Sequence, residues 1–264
     1  MKLGTFREPA VAGSFYPCHS GPLKQQVEGF IESARPSQPA RMPRAIIAPH
    51  AGYIYSGAIA GSGYRSLLQG DSSTQRVVLL GPSHYCSFAG LALSHHAVFR
   101  TPLGDVPVDT ASIDRLQALP QVQFLEAAHA LEHCLETQLP FLQCTLGDVS
   151  IIPVVVGSAS PEAVAEVLGQ VWDAHTLVVV SSDLSHDLKD ADARIRDEQT
   201  CRKIEHLDHV HLAPEEACGA RAIAGLLKQA MRCQLSVNTL DLRNSGDTAG
   251  GKDRVVGYGA WRFD

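Results

Sequence analysis

Five short runs of the chain are apolar at almost every position: residues 44–48 (RAIIA), 76–80 (RVVLL), 90–93, 150–156 (SIIPVVV) and 176–181 (TLVVVS). Runs of this length without alternation predict strands covered on both faces by helices. Residues 236–242 and 254–261 alternate more and predict antiparallel or edge strands. Between them the apolar positions recur at helical spacing. In 23–34, Leu23, Val27, Phe30 and Ile31 share one face. Further helices are expected at 57–68, 109–118, 131–146, 161–173, 191–207 and 219–233, the fourth of these capped by Ser160 with Pro161 at its first position. The stretch 34–43, rich in Pro, Ser and Arg, reads as a loop. Strands alternating with helices predict one α/β domain over residues 1–264, built on a central, mostly parallel or mixed β-sheet.

In such sheets ligands gather beyond the carboxyl ends of the strands, and three predicted strands end there on a histidine. RAIIA leads into Pro49-His50, RVVLL into Gly81-Pro82-Ser83-His84, and TLVVV into Ser181-Ser182-Asp183-Leu184-Ser185-His186. One loop histidine is ordinarily just a hydrogen-bonded residue. Three that follow three buried strands predict a shared site that only the fold can assemble. Two neutral imidazoles suit a borderline metal ion, and a third ligand would complete one face of its coordination sphere. A third histidine held off the metal would serve as acid or base, with Asp183 orienting it or the site; capping a helix is the plainer role for that Asp. Glu132, His133 and Glu136 form a second polar group at an expected helix start, with His133 a pocket-lining or proton-handling candidate. Phe15, Tyr16, Tyr53 and Tyr55 are aromatic candidates for contact with a planar ligand or a peptide side chain.

Composition narrows the classes. The chain has 264 residues, 45% hydrophobic and 19% charged, so it encodes a packed globular domain. A formal charge of −6 argues against general affinity for nucleic acid or an anionic membrane. No run approaches the ~20 apolar residues that span a bilayer, and the first residues lack the apolar core of a signal peptide, so a cytoplasmic protein is expected. Seven cysteines, with no C-x-x-C among them, do not read as a disulfide framework. The glycine-rich NSGDTAGGK at 244–252 lacks a complete P-loop pattern.

The segments REPAVAGSFYP (7–17), IIAPHAGYIYSG (46–57), GPSHY (81–85), EHCLETQLPFLQ (132–143), IIPVVVG (151–157), SSDLSHDL (181–188) and ACGARAI (217–223) together resemble the Memo family, whose bacterial and archaeal members are called AmmeMemoRadiSam system protein B. The resemblance implies a fold like that of class III (LigB-type) extradiol dioxygenases, which hold Fe(II) with two His and one Glu. It puts His50 and His84 on the two histidine ligands and Cys218 on the carboxylate ligand's position. His186 falls on the acid/base histidine, with Asp183 beside it. Gln138 stands where the family pattern has a histidine. The implied cofactor is iron or copper, with zinc a further candidate, because a thiolate is softer than a carboxylate. A helix N-terminus following Cys218 would lower its thiol pKa. The implied activity is a dioxygenase-like, metal-dependent oxidoreductase acting on a small-molecule or peptide ligand, with a functional link to a radical-SAM protein. Two other readings remain open: a non-catalytic metal- or peptide-binding protein with a relic site, and a metal-free hydrolase using Cys218, His186 and Asp183.

Overall fold

Strands β1 (Ala45–Ala48), β2 (Arg76–Pro82), β3 (Leu91–Leu93), β4 (Val98–Thr101), β5 (Gly104–Pro107), β6 (Val122–Phe124), β7 (Ser150–Val156), β8 (Thr176–Ser181), β9 (Val237–Asn244) and β10 (Gly257–Phe263) alternate with helices along the chain. The helices are α1 (Ser20–Ser33), α2 (Tyr53–Arg65), α3 (Thr110–Leu116), α4 (Glu126–His129), α5 (Leu139–Leu146), α6 (Pro161–Val171), α7 (Asp190–Glu205) and α8 (Ala220–Arg232). The computed structural model describes residues 6–35, 41–68 and 73–264; the expected loop at 34–43 therefore lies partly outside the described residues.

The main sheet has the order β6-β3-β7-β2-β8-β1-β10-β9. Its centre, β7-β2-β8-β1, is parallel, as the four apolar runs require. The flanks are mixed: β10 and β9 add antiparallel on one side, and β3 pairs antiparallel with β7 and parallel with β6 on the other. Val77, Val78, Leu79 and Leu80 of β2 are all fully buried. Each such side chain contributes ~1.5–3 kcal/mol of burial, so the strand ends are rigid supports. Helix α2 lies on β1, β9 and β10 with α1 and α5 against it, while α8 lies on β2 and β8 with α6 against it. Gly57 and Gly61 let α1 approach α2: a Cβ at Gly57 would fall 2.3 Å from the Phe30 ring, and one at Gly61 2.6 Å from the Phe30 carbonyl.

Two expectations need correction. The helix expected at 57–68 begins four residues earlier, at Tyr53, and ends in a 3-10 turn, Ser66–Leu68. The single helix expected at 131–146 is a 3-10 turn, Glu136–Gln138, followed by α5; residues 131–135 are not helical. Glu136 is the reason for part of this. It is fully buried, and its carboxylate accepts from Arg7 Nη1 (2.7 Å), Ala10 N (2.7 Å), Val11 N (3.0 Å) and the Tyr16 hydroxyl (2.6 Å). It fastens the N-terminal segment to the domain. The hairpin β4–β5, the short strand β6 and helix α4 have no counterpart in the apolar pattern, being only three or four residues each.

Candidate metal centre

Because β7, β2, β8 and β1 are parallel neighbours, their carboxyl ends share one edge. His50 and His84 meet there, ring centroids 5.1 Å apart. One ligand atom from each of His50, His84 and His133 lies within 4.8 Å of the others.

The hydrogen bonds behind each ring fix its tautomer. His50 Nδ1 is 2.9 Å from Ser181 Oγ. Ser181 has one hydroxyl proton, which it donates to the Cys134 carbonyl at 2.7 Å. Its oxygen also accepts from Gln138 Nε2 at 2.9 Å. Ser181 therefore accepts from His50, so Nδ1 carries the hydrogen and Nε2 is left with its lone pair. Gln138 is held in turn by the Pro49 carbonyl (2.9 Å) and the Tyr64 hydroxyl (2.9 Å). This is what the glutamine does where the family pattern has a histidine.

His84 is oriented by Glu132, which accepts its main-chain N–H (2.7 Å), its Nδ1–H (2.8 Å) and the Cys134 N–H (3.1 Å). Burial alone would raise the Glu132 pKa, but the hydrogen bonds and attraction of His84, with the Cys134 N–H, hold it at about 2. An ionised carboxylate only accepts, so Nδ1 of His84 carries a hydrogen, and in the neutral ring the lone pair is at Nε2. Glu132 is thus the support of His84. The further grouping of His84, Glu132 and Cys134 is not a separate centre, because the carboxylate's oxygens are already committed to these donors.

His133 stacks on His84 (4.5 Å, 27°) and packs against Phe15 (4.8 Å). Its Nδ1 lies 3.6 Å from Glu132 Oε1, too far for a hydrogen bond. Cys218 Sγ is 3.3 Å from His50 Nε2 and accepts the Asp183 N–H at 3.3 Å. Two ligands of one ion, with bonds of ~2.05 Å to nitrogen and ~2.3 Å to sulfur, stand ~3.1–3.6 Å apart at ordinary angles. The His50–Cys218 pair fits one ion; the three side chains whose ligand atoms are all mutually close are His50, His84 and His133. The expected acidification of Cys218 is not found: burial pushes the thiol up and the Asp183 charge adds to it, outweighing the N–H bonds to sulfur.

Asp183 is also buried, and its Oδ1 accepts the main-chain N–H of His50 at 2.8 Å. The exposed His186 instead has its ring held by the Leu184 carbonyl, 2.8 Å from Nδ1. So the orienting partner expected for His186 is corrected to a main-chain carbonyl, and Asp183 positions the His50 loop. Tyr53 is corrected as well. Its ring packs among Tyr16, Phe30 and Phe141 and its hydroxyl donates to the Thr137 carbonyl at 2.6 Å, which puts it in the core.

Burial keeps three histidines neutral: His50 falls to about 3, His129 to about 4 and His133 to about 4, with neighbouring histidines adding to the effect at His50 and His133. Each folded-state pKa lies below the ordinary value, so the associated stability is complete above pH ~6.5 and falls as pH drops towards the folded pKa, at about 1.4 kcal/mol per pH unit per group. Thermal unfolding of the metal-free protein is expected to show Tm falling from near pH 6.5 downward. A flat Tm between pH 7 and 5 would contradict neutral burial.

A family model described as "Memo-like protein" matches residues 7–262. The chain belongs to the Memo family. A MEMO1 family protein of Metallosphaera sedula is 35% identical, over 97% of this chain and 99% of the relative. Those of Sulfolobus acidocaldarius (34%; 97% and 99%) and Methanosarcina acetivorans (33%; 96% and 97%) are similar. The solved structure of an uncharacterized Escherichia coli K12 protein shares the fold, with TM-score 0.54 at 13% identity, covering 83% of this chain and 99% of that one. For this Memo protein the resemblance singled out His50, His84 and Cys218, and the strand-end rule the two histidines. Neither signalled Ser181 or the orienting role of Glu132, whose partners are distant in sequence. No helix among the described residues is long and apolar enough to cross a membrane.

Proposed function

We propose that this Memo protein is a non-haem, metal-dependent oxidoreductase of dioxygenase-like type. Its ion is held by His50 Nε2, His84 Nε2 and Cys218 Sγ. The observation that carries the reading is the pair of fixed tautomers: both imidazoles present a lone pair at Nε2 because Ser181 and Glu132 take the Nδ1 hydrogens. Two nitrogens and a soft thiolate favour iron or copper, with zinc third. When bound, the ion supplies a Lewis acid and redox centre with open positions. The chain's own groups do the rest. Phe15 and His133 form a wall on which a planar ligand stacks. His186, its Nδ1–H bound to Leu184, keeps Nε2 available to accept a proton.

A second reading, a non-catalytic metal- or peptide-binding protein, is favoured by one observation: Ile54, Tyr55, Tyr85 and Leu131, on the segments that carry His50, His84 and His133, are all exposed. The hydrolase reading loses its geometry, because the imidazole nitrogen 3.3 Å from Cys218 belongs to His50 and Asp183 Oδ1 is engaged with the His50 main chain.

Metal analysis of untagged protein purified without oxygen, followed by oxygen uptake with catechols, tests the proposal. Cys218→Ser is expected to lower copper content more than iron content. His186→Gln is expected to keep the metal and abolish turnover. Unchanged copper and iron in the first variant would remove Cys218 from the ligand set. Loss of metal in the second would make His186 a ligand rather than a proton carrier. Metal retention without oxygen uptake in the unmodified protein would favour the binding-protein reading.

A further inference from the structure

A cavity of about 530 Å³ opens beside the histidine cluster, between the segment after β2, the end of β7 and the start of α8. Its volume is that of a small-molecule site. His84 and Cys218 line it, and so does Arg221. No Asp or Glu is among the lining residues. Arg7, Arg76, Arg100, Arg194 and Arg202 each pair with a carboxylate. Arg221 has no ion-pair or hydrogen-bond partner among the described residues. Ser87 and Ser158 are also among the lining residues, and neither hydroxyl has a hydrogen-bond partner among the described residues. The remaining wall includes the apolar residues Phe88 and Val156.

We propose that Arg221 anchors the ligand of this cavity, and that the ligand is a small organic anion: a carboxylate or phosphate monoester on an apolar body. This rests on the reading of the adjacent cluster as the metal centre and adds the substrate class. The guanidinium is planar and always charged, and its paired N–H groups match two oxygens of a carboxylate or phosphate. No acidic residue in the wall competes for it or repels the ligand. Ser87 and Ser158 supply two further donors. Phe88 and Val156 receive a hydrocarbon body, which a bare inorganic ion would leave uncovered. An anion bound to Arg221 lies in the same cavity as His84 and Cys218, so the rest of the molecule is directed towards the metal ligands.

The test is calorimetric titration with benzoate, phenyl phosphate and neutral benzamide, on protein whose metal content is measured in parallel, before and after chelation. At least one anion is expected to bind about tenfold or more tighter than benzamide, the scale of a charge-assisted hydrogen bond. Which anion it is separates a carboxylate ligand from a phosphate monoester. Arg221→Gln, a change at an exposed position, is expected to lose that preference while leaving benzamide binding and metal content unchanged. Arg221→Lys is expected to fall between, since an ammonium keeps the charge but loses the fork. Equal binding of anion and amide, an anion affinity untouched in Arg221→Gln, or no anion binding up to about 10 mM would overturn the proposal. A protein that retains no metal yet binds anions through Arg221 would overturn the metal reading alone.

Discussion

Glu132→Ala is expected to destabilise the protein by about 3 kcal/mol and to weaken metal binding about 10- to 100-fold. The carboxylate is buried and accepts from His84 N, His84 Nδ1 and Cys134 N. Removing it strands these three donors at ~1–3 kcal/mol each, less whatever water relieves at the partly open His84. It also frees the His84 ring to take the other tautomer or rotate, so Nε2 no longer faces the site as a fixed lone pair. Thermal unfolding reads the first effect and competitive chelation the second. Loss of stability with unchanged metal affinity would mean that Glu132 only holds the loop. Because Glu132 titrates at about 2 in the folded protein, its contribution is complete above pH ~4.5 and disappears as pH falls towards that value.

Glu136→Gln should be comparably damaging, about 3–5 kcal/mol, or a fall in Tm on the order of 10 °C, without direct loss of a metal ligand. Glu136 faces only donors: Arg7, two main-chain N–H groups and the Tyr16 hydroxyl. The amide nitrogen of Gln would face at least one of them, and the Arg7 charge would remain buried; the guanidinium also donates to the carbonyls of His129 and Glu132. For an isolated buried ion pair, replacing both partners with apolar residues is often neutral. Here Arg7→Met with Glu136→Leu is expected to stay destabilised, because Ala10 and Val11 would still lack an acceptor. Recovery of Tm in that double variant would show that the ion pair, rather than the carboxylate's role as a main-chain cap, matters.

The parallel centre of the fold was legible because β1, β2, β7 and β8 are buried on both faces and so appear as unbroken apolar runs. The β4–β5 hairpin was not. Its half-exposed burial and short strands leave no run or alternation long enough to recognise. The segment 131–135 carried a helical spacing that tertiary bonds override: Cys134 N turns to Glu132, and Glu132 turns to His84, 48 positions away in sequence. At the site, His50 and His84 were visible as strand-end residues. The groups that aim them were not, since Ser181 is an ordinary last residue of a strand and Gln138 an ordinary residue of a helical turn. Their meaning comes from contacts 131 and 43 residues apart. Tyr53 shows the converse: an aromatic three residues after His50 suggested a ligand contact, yet it begins α2 and turns inward.

X-ray absorption at the edge of whatever metal the untagged, anaerobically purified protein retains is the most direct measurement. One ion per chain is expected, with two imidazole nitrogens at ~2.0–2.1 Å and one sulfur at ~2.3 Å, the sulfur contribution vanishing in Cys218→Ser. A coordination sphere of nitrogen and oxygen alone in the unmodified protein, or no ion retained after loading with iron or copper, would contradict it.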